Sequence, residues 1–303
     1  MRLYRQWRDG SLVSTRSGGS RKERTTVSTA IRLGCFQRHA ILLNVSDSVQ
    51  RAADILGRSD HILVFTGAGI SVESGIPDFR GPEGLWSRVD PSLFEIGRYL
   101  SDADARREVW RIHLSGDLNI NDLEPNAAHR AVVELWKTGR TVGCITQNID
   151  GLHRKAGLPE AEIAELHGNL THVRCISCAR RWSSAEVLER ITRGDDDPRC
   201  PDCGGILKST TVLFGELLPA AAVARAQQMS EKADAVLAIG STLSVYPAVD
   251  FVLDPVVRGA PLVIANLGPT EHDDLASVRV EGPAGSTVPA IVARLVSTLP
   301  EGP

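Results

Sequence analysis

The stretch that decides the fold of this chain is Ile62-Leu63-Val64-Phe65-Thr66-Gly67-Ala68-Gly69. Four consecutive apolar residues are typical of a strand buried on both faces, and the glycines after them favour a tight turn. Similar short apolar runs lie at 142–145, 235–239 and 262–265, separated by segments with helical spacing such as 129–137 and 220–232. Buried strands that alternate with helices predict an α/β fold with a mostly parallel sheet.

Small or polar residues follow each of these strands, at Thr146-Gln147-Asn148-Ile149-Asp150, Gly240-Ser241-Thr242 and Asn266-Leu267-Gly268 as well as at Gly67. Ligands of open α/β sheets bind at the carboxyl edge, so we expect the functional site there. The glycine turn has the form of a dinucleotide-binding start, although Val72 stands where a third glycine is usual. A bare βα connection remains the alternative at this point.

Composition limits the function classes. The chain has 303 residues, of which 42% are hydrophobic and 23% charged, which is an ordinary globular composition. Because no apolar run approaches the roughly 20 residues of a membrane-spanning helix, we expect a soluble protein. The first 40 residues hold nine Arg or Lys and two acidic residues, a formal charge of +7, so the other 263 carry −10 of the total of −3. Such an acidic body has no general attraction for nucleic acid or anionic membranes.

Residues 1–44 are rich in Arg, Ser and Gly and lack helical or strand periodicity, so they predict a disordered basic extension. An organellar transit peptide or an incorrectly assigned start of the chain would explain the same composition. No secretory signal pattern is evident, and we expect a cytoplasmic protein, with organellar import through the extension as the alternative.

The cysteines indicate a metal site. Cys175-x-x-Cys178 and Cys200-x-x-Cys203 are separated by 21 residues, and each pair offers two thiolates to a tetrahedral zinc ion. Four protein ligands leave no open position for water, so the predicted zinc is structural. The alternatives are a nucleic-acid-binding ribbon, which the acidic run 195–197 disfavours, and unliganded core cysteines. Cys35 and Cys144 are predicted to be incidental thiols.

His167 is the predicted general base. It stands in Glu165-Leu166-His167-Gly168-Asn169, directly before the cysteine-containing insertion, where the chain passes between two predicted lobes. Its near-neutral pKa suits proton abstraction, and the glycine after it permits close approach of a ligand. Asn148 and Asp150 supply an amide and a carboxylate for binding a sugar or amide, or cap a helix. His129 and His153 are interpreted as structural.

Six ordered motifs together resemble the sirtuin family over about residues 46–298. They are Gly67-Ala68-Gly69-Ile70-Ser71 with Ile76-Pro77-Asp78-Phe79-Arg80, Thr146-Gln147-Asn148-Ile149-Asp150-Gly151-Leu152-His153, His167-Gly168, the four paired cysteines, Phe214-Gly215-Glu216 and Gly240-Ser241-Thr242-Leu243.

The resemblance implies a catalytic domain over 45–300. Its Rossmann-like parts would lie at about 45–77, 129–169 and 211–300, with a helical insertion at about 78–128 and a zinc-binding insertion at about 170–210. In sirtuins the carbonyl oxygen of an acyl-lysine attacks C1′ of the nicotinamide ribose of NAD, nicotinamide leaves, and the acyl group passes through an alkylimidate to ADP-ribose. NAD is therefore implied as a consumed co-substrate, one zinc ion as structural, and an acyl-lysine peptide as the partner.

The resemblance implies a catalytic role for His167, Asn148 and Asp150. Val212, Leu213 and Phe214 resemble the segment that pairs with the peptide and lines the acyl-lysine tunnel. The residues that resemble cofactor contacts are Gly67, Ala68, Gly69, Ser71, Asp78, Phe79, Arg80, Trp86, Gln147, Asn148, Ile149, Asp150, Gly240, Ser241, Thr242, Asn266, Leu267, Gly268 and Ala284.

Two departures from the family pattern bear on the substrate. Residues 207–211 read Leu-Lys-Ser-Thr-Thr, where many deacetylases have Arg-Pro and a hydrophobic run. After Trp110 the chain has His113 and Gly116, where the members that remove succinyl or malonyl groups place Tyr and Arg. An acidic acyl group would have no guanidinium partner, which favours uncharged acyl groups such as acetyl.

We therefore expect an NAD-dependent protein-lysine deacylase, preferentially a deacetylase that releases nicotinamide and O-acetyl-ADP-ribose. Mono-ADP-ribosyl transfer and long-chain deacylation on the same scaffold are the enzymatic alternatives. A non-enzymatic NAD-sensing module would not need His167, and a dehydrogenase would need a proton relay that the motifs do not supply. The sequence leaves the protein substrate and the oligomeric state open.

Overall fold

A computed structural model of the chain describes residues 45–76, 84, 87–115 and 123–299. The predicted basic extension and four of the predicted cofactor contacts, Asp78, Phe79, Arg80 and Trp86, lie outside these residues.

Within the described residues the chain forms two sheets. The strands are β1 (Ile62–Thr66), β2 (Thr141–Thr146), β3 (Ile163–Glu165), β4 (His172–Cys175), β5 (Arg181–Ser183), β6 (Leu207–Ser209), β7 (Ala235–Ile239), β8 (Leu262–Asn266) and β9 (Val278–Glu281). Six of them form a parallel sheet in the order β3-β2-β1-β7-β8-β9, and three form an antiparallel sheet in the order β5-β4-β6. The strand order reverses at β1, which pairs with β2 on one side and β7 on the other, and this switch point is where open α/β sheets bind ligands.

The α-helices of the described residues are α1 (Val45–Leu56), α2 (Ile96–Ser101), α3 (Ala103–Leu114), α4 (Ala127–Lys137), α5 (Leu152–Lys155), α6 (Ser184–Thr192), α7 (Ala220–Lys232), α8 (Asp250–Val257) and α9 (Ala284–Thr298). Side-chain caps mark the start of α3, α4 and α6. For example, the Asp102 carboxylate accepts hydrogen bonds from the amides of Asp104 and Ala105 at the start of α3. No helix in the part of the chain that the structure covers is long and apolar enough to cross a membrane.

The core lies on both faces of the parallel sheet because successive side chains of a strand point to opposite faces. Ile62 and Val64 of β1 pack in a cluster with residues of α1, α4 and α9. Leu63 and Phe65 pack in a second cluster with residues of α7 and α8. Every residue of β1, β7 and β8 is buried, so the apolar runs in the sequence correctly predicted strands covered by helices on both faces. The short strands β3 and β9 of this sheet were not predicted from the sequence.

The smaller sheet lies in the chain segment that carries the paired cysteines, and it contacts the helices inserted between β1 and β2. Trp110 of α3 packs with Val173 of β4 and Val187 of α6 in one apolar cluster. Beside it, the Arg106 guanidinium binds both carboxylate oxygens of Asp197, with Nε to Oδ1 2.8 Å and Nη2 to Oδ2 2.9 Å. The acidic run 195–197 thus serves in part to join these two segments.

Candidate functional site

The glycine turn after β1 packs directly against the loop after β7. The Gly69 amide donates to the Gly240 carbonyl at 2.8 Å. A Cβ atom on Gly67 would lie 2.7 Å from the Gly240 oxygen, and one on Gly69 would lie 2.7 Å from the Gly240 Cα. Gly240 itself has φ +58 and also lacks room for a side chain. These glycines therefore bring two strand ends together, a requirement that the sequence pattern did not reveal.

Ser71, Asn148 and Asp150 form one buried polar cluster at this edge. The Ser71 hydroxyl donates to Asp150 Oδ2 at 2.8 Å and accepts from Asn148 Nδ2 at 3.1 Å. Asn148 Nδ2 also donates to the Gly67 carbonyl at 3.1 Å, which connects the cluster to the glycine turn. The second Asp150 oxygen accepts from the Leu152 amide at 2.8 Å at the start of α5. Ser71 thus links the Asn148 carboxamide to the Asp150 carboxylate, the two groups that were predicted from the sequence to act together.

Two buried histidines bind the hydroxyls of this cluster and of the strand end beside it. His129 lies 3.4 Å from the Ser71 hydroxyl through Nε2, and its Nδ1 accepts from the Asn126 amide. His153 Nε2 lies 2.9 Å from Thr66 Oγ1, which donates to Thr146 Oγ1 at 2.8 Å. Burial lowers the pKa of His129 to about 3 and that of His153 to about 4, so both rings are neutral at neutral pH.

The hydroxyl chain between the strand ends also positions Asn148. Thr146 Oγ1 accepts from the backbone amide of Asn148 at 3.0 Å, in addition to its bond from Thr66. Because Thr66 donates to Thr146, it accepts from His153 Nε2, and His153 Nδ1 has no hydrogen-bond partner within the described residues. Thr146 was predicted as part of the polar edge, but the sequence assigned no role to its hydroxyl or to that of Thr66, and only their position at the ends of adjacent strands gave a signal.

His167 follows β3 and is oriented by a backbone carbonyl. Its Nδ1 lies 2.9 Å from the Gln147 oxygen, and because a carbonyl only accepts, Nδ1 carries the hydrogen. The neutral ring therefore presents an unprotonated Nε2. Burial lowers the pKa of His167, and the hydrogen bond to Gln147 opposes part of that shift. The ring is thus a neutral base at neutral pH.

The segment Val212–Phe214 lies beside His167. The Val212 amide donates to the His167 carbonyl at 2.8 Å. The Phe214 amide donates to the Phe94 carbonyl at 2.8 Å, and the Phe214 carbonyl accepts from Ile96 at 3.0 Å. Val212 is half-buried, Leu213 is buried, and Phe214 is 50% exposed. The structure therefore places the predicted peptide-binding segment between the predicted base and the inserted helices.

The other predicted cofactor contacts lie along the same edge of the sheet. Gln147 Nε2 donates to Ser241 Oγ at 3.3 Å, which joins the loops after β2 and β7. Asn266 is buried and donates to the Gly268 carbonyl at 3.0 Å, whereas Leu267 is exposed. Thr242 is exposed, Ile149 is half-buried, and Ala284 is buried at the start of α9.

These residues suit a dinucleotide. Ala68 and Gly69 are only partly buried on a turn without large side chains, and exposed Thr242 adds a hydroxyl on the neighbouring loop. The buried amide and carboxylate of Asn148 and Asp150 lie on the next loop. Backbone amides on a glycine turn, hydroxyls and a carboxamide are the groups that bind phosphates, ribose and an amide.

The four paired cysteines form one cluster in which all sulfur atoms lie within 4.8 Å of one another. Cys175 Sγ is 3.5 Å from Cys203 Sγ, and Cys178 Sγ is 3.7 Å from Cys200 Sγ. A tetrahedral zinc ion with Zn–S bonds of about 2.3 Å requires sulfur separations of about 3.8 Å. The cluster therefore fits one structural zinc ion held by Cys175, Cys178, Cys200 and Cys203. Cys144 lies apart, buried in the core of the parallel sheet.

Comparison with known proteins agrees with this geometry. A sequence model described as "Sir2 family" matches residues 67–247. The chain is 40% identical over 245 residues to an NAD-dependent protein deacetylase of Rhodopseudomonas palustris, covering 81% of this chain and 96% of the relative. It is 42% identical over 237 residues to NAD-dependent protein deacetylase 2 of Streptomyces coelicolor, covering 77% of this chain and 97% of the relative.

A solved structure of a Sir2 variant with a deacetylated p53 peptide and 3′-O-acetyl ADP ribose is similar in fold. Its TM-score is 0.74 and its identity 34%, covering 82% of this chain and 97% of that one. The parallel sheet, the cysteine cluster and the polar edge thus occur in a chain that is similar to these proteins over most of its length.

Proposed function

The chain belongs to the Sir2 family, and from this premise we propose that it is an NAD-dependent protein-lysine deacylase that acts preferentially on acetyl-lysine. The observation that carries the proposal is the position of His167, whose ring is oriented by Gln147 and whose carbonyl binds Val212. A proton acceptor therefore lies beside the segment proposed to bind the substrate peptide.

His167 is proposed to act as the general base through Nε2. The hydrogen bond from Nδ1 to the Gln147 carbonyl selects the tautomer in which Nε2 is free to accept a proton, and it stabilises the imidazolium that forms. Burial keeps the ring neutral before the reaction because it lowers the pKa. A base that is neutral at working pH and oriented by one bond meets the requirements for general base catalysis.

Bound NAD would supply nicotinamide as the leaving group and ADP-ribose as the acyl acceptor. The chain's contribution is orientation. Asn148 and Asp150 are held by Ser71, and that cluster is tied to the glycine turn through the Gly67 carbonyl. Polar groups that are already oriented lose little entropy when a ligand binds, so we propose that this cluster holds the nicotinamide ribose end in a reactive position.

The charges near the inserted helices favour an uncharged acyl group. Burial lowers the pKa of His113 to about 4, helped by the nearby Lys208 cation, so its ring carries no positive charge at neutral pH. The Lys208 ammonium is buried and already bonded to Glu216, Ser209 and Thr211. Neither group is then available to pair with a succinyl or malonyl carboxylate, which supports the preference for acetyl.

A panel of acyl-peptides read by mass spectrometry tests the proposal. Purified protein is given NAD and one lysine peptide carrying an acetyl, succinyl or myristoyl group, and nicotinamide, free peptide and acyl-ADP-ribose are measured. We expect O-acetyl-ADP-ribose and nicotinamide in equal amounts from the acetyl peptide. Absence of peptide-dependent nicotinamide release from every peptide would contradict the proposal. When the NAD is labelled in its adenylate part, label bound stably to protein would favour ADP-ribosyl transfer.

His167→Tyr and His172→Gln provide the matched variants for this experiment. His172 is an exposed histidine five positions along the chain, and its ring binds only the Thr171 hydroxyl among the described contacts. We expect His167→Tyr to abolish acetyl-ADP-ribose formation and His172→Gln to retain it. Equal activity in both variants would exclude His167 as the base.

A further inference from the structure

Lys208 of β6 is a cation with almost no contact with solvent. Its side chain is 1% exposed, and burial lowers the pKa of the ammonium group. Its Nζ lies 3.0 Å from Glu216 Oε2 and 2.9 Å from the Ser209 carbonyl, and it also donates to the Thr211 carbonyl. The three N–H groups of the ammonium therefore have three acceptors. A buried charge that is fully bonded in this way holds its acceptors in one arrangement.

The Glu216 carboxylate carries the same constraint to the segment Val212–Phe214. Its Oε2 accepts from the Leu213 amide at 3.0 Å, and the Glu216 amide donates back to the Leu213 carbonyl at 3.0 Å. Its Oε1 accepts from Arg174 Nη2 of β4 at 2.7 Å. Lys208 and Glu216 thus hold residues on both sides of Val212, one through the Thr211 carbonyl and the other through the Leu213 amide.

The same segment is bound at its ends by other parts of the chain. Val212 donates to the His167 carbonyl, and Phe214 pairs with Phe94 and Ile96. These bonds use the backbone of Val212 and Phe214 but leave the carbonyl of Thr211 and the amide of Leu213 to the buried pair. If the Lys208–Glu216 pair were lost, the peptide groups of Thr211 and Leu213 would lose these bonds. The backbone there could then rotate while Val212 and Phe214 stay attached to the rest of the chain.

We propose that Lys208 is a positioning residue for substrate binding: through its ion pair with Glu216 it sets the backbone of Thr211–Phe214 on which the acyl-lysine peptide lies. This inference rests on the proposed function, since it concerns the peptide side of the same site. The Lys208 ammonium bonds to Ser209, Thr211 and Glu216, so we expect it to act through the segment and not on the reacting atoms. The expected consequence is a selective effect on the peptide.

The test compares Lys208→Met, Lys208→Arg and Glu216→Gln in the full chain with zinc bound. For Lys208→Met we expect the KM for acetyl-peptide to rise about tenfold or more, while the KM for NAD and kcat change by less than about twofold. Lys208→Arg keeps the cation and should recover most of the peptide KM. The double variant Lys208→Met/Glu216→Gln should raise the peptide KM no further than the worse single variant, because both substitutions remove the same interaction.

Arg106→Met is the matched control. Arg106 belongs to a second buried ion pair, with side chains 4% and 11% exposed, and its hydrogen bonds go to Asp197, Tyr99 and Leu100. Breaking it costs stability of a similar kind without removing a bond to Thr211 or Leu213. A peptide KM that is unchanged in Lys208→Met, or that rises equally in Arg106→Met, would overturn the inference.

Amide hydrogen exchange of 211–214 provides a readout that does not depend on activity. Lys208→Met should accelerate exchange at Leu213 by about tenfold relative to wild type, and Arg106→Met should not. If wild-type protein releases no nicotinamide, the proposed function fails, and exchange then decides the inference alone: an unchanged Leu213 amide overturns it. If Lys208→Met does not fold, Glu216→Gln takes its place: an unchanged peptide KM together with unchanged exchange at Leu213 in that variant overturns the inference.

Discussion

The Nδ1 atom of His167 lies 2.9 Å from the carbonyl oxygen of Gln147, and this single hydrogen bond determines which imidazole nitrogen can accept a proton. Gln147 follows β2 and His167 follows β3, which are neighbouring parallel strands. The bond therefore depends on the strand register and holds the ring at the carboxyl edge of the sheet, the edge that also carries the buried cluster of Ser71, Asn148 and Asp150.

The pH dependence of deacetylation follows from this environment. Burial lowers the pKa of His167 below the usual value of about 6.5, and the neutral form is the active base. As pH falls through that pKa the ring gains a proton, so we expect kcat/KM to fall on the acid side with a midpoint below pH 6.5. Initial rates of nicotinamide release between pH 5 and 9 measure this midpoint. A midpoint above pH 7 would contradict the burial argument.

Replacing Ser71 by Ala should damage the cofactor site. The substitution leaves the Asn148 amide and the Asp150 carboxylate without their shared hydroxyl, and an unsatisfied buried polar group costs about 1–3 kcal/mol. We expect a loss of stability of that size in urea unfolding, together with a raised KM for NAD. Ser230→Ala is the control, because Ser230 Oγ is buried and has no partner within the described residues. Its loss should leave stability unchanged or slightly higher.

Gly168 should not tolerate a side chain. It has φ +68, and a Cβ atom there would lie 2.0 Å from the Thr210 carbonyl oxygen. Gly139 has φ +74 with nothing within 4 Å, so Gly139→Ala measures the backbone cost alone, about 1–2 kcal/mol. Gly168→Ala adds overpacking of about 1–3 kcal/mol and should also shift His167, which precedes it. Equal unfolding free energies for the two variants would show that the loop moves aside without cost.

Removal of one cysteine ligand should release the zinc ion. In Cys200→Ser we expect the metal content to fall from one zinc per chain to almost none. We also expect Tm to fall by roughly 10 °C, which corresponds to a stability loss of about 2.5–5 kcal/mol at about 2–4 °C per kcal/mol. Cys144→Ala removes a thiol outside the cluster and should keep its zinc. Metal analysis and thermal unfolding measure both. Full zinc content in Cys200→Ser would contradict the four-cysteine site.

Much of the fold is visible in the sequence because strands buried on both faces have a simple local pattern. The runs around Val64, Leu237 and Val263 are apolar without interruption and end in small or polar residues. The structure confirms them as β1, β7 and β8. The strand β3 has only three residues and β9 alternates over four, so neither gives a run long enough to recognise.

The site divides in the same way. The residue types after the strand ends predicted a polar edge, and the cysteine spacing predicted a metal cluster that the structure assembles. The role of Ser71 as the link between Asn148 and Asp150 was not predicted, since 77 and 79 positions separate the partners. Gly67 and Gly69 were predicted to form a dinucleotide-binding turn, yet the atoms that exclude a side chain there belong to Gly240 and Ser241.

By itself the sequence determined the α/β class, the ends of β1, β2, β7 and β8, the four paired cysteines of the metal cluster and the family to which the motifs belong, because the residues of each pattern lie close together in the chain. Only the tertiary structure decided the tautomer of His167, the bonding of Ser71 and the burial of Lys208 against Glu216. The physical reason is that a hydrogen bond between two loops is made or lost when the distance between them changes by a few tenths of an ångström. Strand register and close backbone packing determine those distances, and local residue patterns do not encode them.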